Sequence, residues 1–381
     1  MTYNFPDKFF VLLFFIMNFL GVIGYYCGLD FYVRPSENAL FLIFISCVSF
    51  FAAWFLFGFC GNRAIGNSIN IESRRYDVSS LGALFSFILV FTYILIFRDS
   101  FPLYALIDGG LIGESARPDV VGNVPYYWTF TVVLSSFCIP FAVALTIKSI
   151  LIGGNFRVFL YSLLLIFFAT ILGDKSTLLS VVFFFLFIFG RFSISRLMIF
   201  VFLFVTFYVA VKYLYYASER EFGDFLDWSM LFESIIRRVS FINVSSMGVF
   251  LDEIAFKGIG VPEQFNNVKQ FVFYSIYGYL PGGAPIPYIV KAAEFLAVPL
   301  VPVFVFVVSF FIFYFRHMVQ RYAKSSVYFV VLYLNFYGAI VLVSGGLSDY
   351  FFRSFLPICI VLFSSKVFLF RYGVGFKLCR Y

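Results

Sequence analysis

Charge is scarce in this sequence: Asp, Glu, Lys and Arg make up 12% of its 381 residues, against 62% hydrophobic residues. A chain so poor in charge cannot keep its apolar surface covered in water, and the solvent it suits is lipid. Histidine is nearly absent, with His317 alone, and its place beside Arg316 makes it a poor candidate base. One histidine without an HExxH or DxD pattern argues against a transition-metal site, and no metal or cofactor is expected. The six cysteines, Cys27, Cys47, Cys60, Cys138, Cys359 and Cys379, stand singly in or beside apolar runs with no CxxC pair. No GxSxG elbow, Walker A loop or dinucleotide-binding glycine pattern occurs, so those hydrolase and redox chemistries have no motif to rest on. The first apolar run starts after Lys8 without a small-residue cleavage site and reads as a retained span.

What is abundant is aromatic and aliphatic: 61 Phe and 26 Tyr, side chains that suit hydrocarbon and, for Tyr, the headgroup boundary. A helix rises about 1.5 Å per residue and must cross about 30 Å of hydrocarbon, so runs of roughly 17 to 25 apolar residues qualify as spans. Ten runs fit or approach this length: 9–29, 39–61, 81–97, 129–151, 158–173, 176–190, 197–216, 295–315, 327–346 and 354–370. The expected fold is all-α, a single transmembrane helical bundle over residues 1–381.

The formal charge of +7 suggests nucleic acid only if it lies on one surface, so its placement decides its meaning. With the N-terminus inside, the cytoplasmic segments hold fifteen bases, among them Lys8, Arg63, Arg74, Arg75, Lys148, Arg157 and Arg316, against three acids, a balance of +12. The other face holds twelve bases and seventeen acids, a balance of −5. Excess Lys and Arg in short loops sets orientation, so both termini are expected in the cytoplasm and the positive charge is a topology signal. Two external segments are long, 98–128 and 219–294, and loops of that length are functional or disordered. Within the second, 225–240 (FLDWSMLFESIIRRVS) has apolar residues at helical spacing, as in a helix on the outer membrane surface or capping the bundle. A Gly/Pro-rich return, 279–287 (YLPGGAPIP), leads from it into the eighth span.

The fifth and sixth runs are short, about 25 Å each at helical rise, which recesses the hairpin Gly173-Asp174-Lys175-Ser176 below the outer surface. Charge at that depth is costly and faces an aqueous cavity or a partner charge. Asp174 and Lys175 therefore read either as a self-satisfied hairpin or as a lysine on the floor of an external cavity. Arg117 in the first long segment, Arg220, Arg237 and Arg238 in the second, and Arg353 before the last span add external cations. The guanidinium fork suits phosphate oxygens, and several beside a lysine suit a pyrophosphate. Any one of them taken alone reads as a surface residue paired with an acid such as Glu219, Asp224 or Asp349.

In order of features the chain resembles the Wzy-type O-antigen polymerase family of bacterial inner membranes. The resemblance rests on the Phe/Leu-rich spans, on GGLIGESARPDVVGNVPYYW with its arginine, and on GDKSTLLSVV with its short G-x-[KR]-S hairpin. It rests also on the large loop closing at the Gly/Pro turn, and on GLSDYFFRSFLPICIVL entering the last span. It implies an inverting, metal-independent glycosyltransferase with a periplasmic active site, moving an undecaprenyl-pyrophosphate-linked glycan onto a lipid-linked repeat unit. Arg117, Lys175 and Arg237 are then expected catalytic residues, with Arg238, Arg220, Arg353, Asp174 and Tyr279 on the pyrophosphate or glycan. An inverting transfer also implies a base near the acceptor hydroxyl, for which Glu114, Asp119, Asp224 and Asp227 are the carboxylates available. The partners so implied are the lipid-linked oligosaccharide, the bilayer and a chain-length regulator protein; nucleic acid is not among them.

Three other readings compete. An O-antigen ligase shares fold and chemistry but has a histidine in its large periplasmic loop, and residues 219–294 contain none. A lipid-linked oligosaccharide flippase would place charges inside the bundle, whereas these spans are nearly free of them. A membrane acyltransferase would need a histidine better sited than His317.

Overall fold

The computed structural model describes residues 5–29, 32–61, 78–98, 125–152, 155–171, 175–189, 237–278, 283–322 and 327–371. Among them every regular element is helical and no strand occurs. The helices are α1 (5–26), α2 (Glu37–Gly61), α3 (Val78–Ile96), α4 (127–152), α5 (Asn155–Thr170) and α6 (Lys175–Phe189). After them come α7 (237–256), α8 (Val268–Tyr277), α9 (Val301–Tyr322), α10 (Tyr328–Ser344) and α11 (347–371). Among the described residues five stretches are long and apolar enough to cross a membrane: Phe9–Tyr26, Glu37–Gly58, Tyr127–Leu151, Val298–Val319 and Leu347–Ser364. Gly82–Ile96, Asn155–Ala169 and Tyr328–Ser344 are shorter apolar helices. This is a membrane protein built of helices.

The eighth expected span, 295–315, is displaced. Pro299 sits in a 3-10 turn, Val298–Leu300, and α9 starts only at Val301 and runs on to Tyr322. A proline is tolerated in the first turn of a helix and marks its start. The seventh expected span, 197–216, lies outside the described residues.

The chain divides into two compact units. One takes residues 1–69, 228–322 and 335–354; the other takes 70–227, 323–334 and 355–381. In the second unit α3 packs on α4, where Gly82 leaves room for the Phe141 ring at a place a Cβ would crowd to 2.7 Å. Further along the same pair, Cys138 Sγ donates to the Ser86 carbonyl at 3.3 Å, and the Tyr93 and Phe130 rings stack at 4.4 Å. α5 adds Phe167 and Phe168, which meet Phe91 at 5.6 and 5.5 Å. Within α6 Ser180 is buried and shares a hydrogen bond with the Tyr333 phenol at 2.9 Å.

The first unit is held by aromatic packing between α1, α2 and α9. Phe14 stacks on Phe50 at 3.7 Å, and Phe10 and Phe313 close the same cluster, all four fully buried. Inside lipid such packing, rather than exclusion of water, is what joins helices. Against this core α7 lies across the 18–25 stretch of α1. A Cβ at Gly21 would overlap the Ser240 carbonyl and come within 2.7 Å of Val244, and one at Gly24 would enter the Phe241 ring. Two glycines one turn apart thus form the notch into which α7 sinks, the close approach that small residues permit between membrane helices.

The described part of the helix expected at 225–240 begins at Arg237 and continues well past Ser240, to Phe256. Its middle, Ile242–Val249, is almost wholly buried, with Asn243, Ser245 and Ser246 at 1% exposure or less. It is therefore an element packed into the first unit. Serine, asparagine and glycine in INVSSMGV read as loop in water, whereas in a helix bundle they are the residues that allow close packing and cross-helix hydrogen bonds.

Candidate functional site

The segments expected outside the membrane in the first unit share one end of it. In the turn after α1, Ser36 donates its backbone N–H to Asp252 of α7 at 2.9 Å and its hydroxyl to the other carboxylate oxygen. The same turn places Tyr32 edge-on to Tyr277 of α8 at 5.9 Å. From α8, Lys269 reaches Asp349 in the first turn of α11 at 2.7 Å, and its carbonyl accepts from the Ala284 N–H of the Gly/Pro return. Gly345 and Gly346 make the turn between α10 and α11; a side chain on Gly345 would meet the Val341 carbonyl at 2.6 Å.

Two of the expected site arginines are described at this end. Arg237 lies in a π-helical turn of α7, 237–241, with its guanidinium carbon 6.0 Å from the centroid of the Tyr32 ring. Arg353 lies in the π-helical turn 351–355 of α11 and donates to the Tyr337 phenol at 3.5 Å, the long limit of a hydrogen bond. Both are half-buried. Wide turns of this kind also occur at 15–19, 134–138 and 250–256; each one re-aims the side chains around it. Arginine over an aromatic face and arginine on a phenol are each fixed in place by the ring beside them. Asp349, which the sequence offers as a partner for an arginine, is paired instead with Lys269; the pair is partly exposed and contributes on the order of 1 kcal/mol or less.

The remaining expected residues divide into two groups. Lys175 is the first residue of α6, in the second unit, and Arg238 follows Arg237 in α7; the side chains of both lie outside the described residues. Glu114, Arg117, Asp174, Arg220, Asp224 and Tyr279 lie outside them entirely. Among the described residues no group of His, Cys, Asp and Glu is placed to hold a metal ion.

No family model, curated protein or solved structure matches the chain.

Several polar residues that matter to this unit escaped the motif reading. Arg316, assigned to the cytoplasmic surface, is fully buried: one guanidinium nitrogen donates to the Asn335 carbonyl at 2.6 Å, and its carbon stands 5.0 Å from the Phe10 ring centroid. At the same end of the unit Phe57 meets the His317 ring at 5.7 Å and Phe9 stacks on Phe336 at 4.4 Å. Asn18, Asn243 and Asn335 are buried amides. The signal for two of these was present, since Asn18 and Asn335 are lone amides inside apolar runs, where an unpaired polar group is expensive.

Proposed function

We propose that the chain is a polysaccharide repeat-unit polymerase of the bacterial inner membrane. It would transfer a glycan from undecaprenyl pyrophosphate onto an incoming lipid-linked repeat unit at the periplasmic face. The observation that carries the reading is that Arg237 and Arg353, two of the cations the family resemblance implies, occupy π-helical turns at one end of a helical unit and are each held by a tyrosine. In the proposed reaction an acceptor hydroxyl attacks the anomeric carbon as the bond from that carbon to the pyrophosphate oxygen breaks. The bonding pair leaves with the pyrophosphate, and the hydroxyl proton passes to a base, for which Glu114, Asp119, Asp224 and Asp227 are the candidates. Arg117, Lys175 and Arg237 would stabilise the charge that grows on the leaving pyrophosphate, while Arg238, Arg220 and Arg353 hold its lipid-linked end and the glycan; fixed cations aimed at developing charge are the largest lever available to such a site.

Replacing Arg237, Lys175 or Arg117 by alanine should convert a ladder of chain lengths into core plus a single repeat. The expected loss is on the order of 100-fold in polymer formed by purified protein, the effect of removing one donor to a transition-state oxyanion. Gel profiles of lipopolysaccharide and polymer assays in detergent both measure it. An intact ladder in all three variants, with protein present in the membrane, would end the proposal. Purified protein that forms no polymer from lipid-linked repeat units would instead support the flippase reading, and transfer to a lipid A core acceptor the ligase reading.

The proposed orientation has its own test. Cys27 is exposed at the end of the first unit where the Tyr32 turn lies, whereas Cys47 and Cys138 are buried. In a variant retaining Cys27 as its only cysteine, a membrane-impermeant maleimide should label right-side-out spheroplasts. Labelling confined to inverted vesicles would place this end in the cytoplasm.

A further inference from the structure

Two asparagines far apart in sequence meet inside the first unit. Asn243 Nδ2 lies 3.2 Å from Asn18 Oδ1 and 3.4 Å from the Val343 carbonyl oxygen, so one amide donates to both α1 and α10 from α7. Asn18 and Asn243 are at 0% and 1% exposure. The other halves of the two amides, Asn18 Nδ2 and Asn243 Oδ1, have no hydrogen-bond partner among the described residues. In a bundle surrounded by lipid no bulk water replaces a lost partner, and burying such groups is unfavourable unless their position is required. A buried amide pair is a weak source of stability and a strong source of register, because sliding either helix by one residue leaves both amides unpaired.

What this register governs is the start of α7. Asn18 lies in a π-helical turn of α1, Phe15–Phe19, which packs on the π-helical turn 237–241 that carries Arg237. Gly21 and Gly24 admit Ser240 and Phe241, and the Tyr25 phenol shares a hydrogen bond with Ser245. The glycine notch accepts α7 at this depth, and the doubly bonded amide adds a directional contact that depends on register.

We infer that Asn243, through Asn18 and the Val343 carbonyl, is a positioning residue that holds α7 in the register presenting Arg237 to an anionic lipid-linked ligand. It touches no ligand itself. The inference rests on the proposed reading for the identity of that ligand, a lipid diphosphate, and not for the register.

The test uses full-length protein in nanodiscs with undecaprenyl pyrophosphate as the probe, comparing Asn243→Leu, Asn18→Leu and the double leucine variant. Replacing one amide orphans the other, whereas replacing both removes the orphan and is close to neutral for folding. Asn243→Leu should weaken undecaprenyl pyrophosphate binding by roughly threefold to twentyfold, the range of single hydrogen bonds between membrane helices. The double variant should regain the thermal stability of the wild type and yet keep the weakened affinity, with faster amide hydrogen exchange over residues 239–249. Affinity that returns together with stability, or that is unchanged in Asn243→Leu, overturns the inference. If the wild type binds no undecaprenyl pyrophosphate, the proposed function falls, and the exchange measurement decides alone: faster exchange confined to 239–249 in the double variant sustains the register role, and unchanged exchange removes it.

Discussion

Leucine at position 21 should unseat α7. The side chain would have to enter space held by the Ser240 carbonyl and Val244, and a backbone carbonyl cannot turn away as the tip of a long side chain can. Overpacking a core costs typically about 1 to 3 kcal/mol, and contact with backbone belongs at the upper end of that range. With α7 displaced, the hydrogen bonds of Asn243 and Ser245 to α1 are lost as well, so Gly21→Leu should lower stability by about 3 kcal/mol or more. Thermal unfolding followed by size-exclusion in detergent measures this, with Gly58→Leu as the control. Gly58 has nothing within 4 Å of its would-be Cβ, and its substitution should leave the transition in place. Equal losses in the two variants would show that the notch is not what seats α7.

The second large effect is expected at Arg316. Alanine there removes a fully buried guanidinium, its bond to the Asn335 carbonyl and its stack on Phe10. A cavity of arginine size opens, and the Asn335 carbonyl loses its donor. The combined cost is about 2 to 5 kcal/mol, the range of large-to-small substitutions in a core, read as a fall in the detergent melting temperature of several degrees. Arg316→Lys keeps the charge and loses the planar fork that both bonds a carbonyl and lies over a ring, so it should fall between wild type and alanine. An alanine variant as stable as wild type would mean that Arg316 reaches solvent in the membrane-bound protein.

Much of the helical layout was legible in the sequence, because an apolar run of span length has few alternatives to a helix in lipid. The stretches 39–61, 81–97 and 129–151 coincide closely with α2, α3 and α4. Misreadings fell where composition and structure pull apart. Pro299 delayed the start of α9, while Arg316 lay within it because a buried carbonyl and a ring received its charge. Most instructive is α7: charges at both ends and serines in its middle make 237–256 look like loop, although its length suits a buried helix. Nothing local marks Asn243 as the partner of Asn18, since 225 positions separate them. The cations were picked out one at a time by their chemistry; that Tyr32 lies beside Arg237 and Tyr337 beside Arg353 is a matter of tertiary contact that no motif encodes.

The tie between Ser36 and Asp252 also bears on how the chain is made. Asp252 is synthesised 216 residues after the serine whose backbone and hydroxyl it receives at the head of α2. At about 5 to 20 residues per second, α1 and α2 leave the ribosome roughly 10 to 40 s before α7 exists. Throughout that interval Asn18, the glycine notch and the head of α2 lack the partners that α7 brings, so their packing is completed long after their own synthesis.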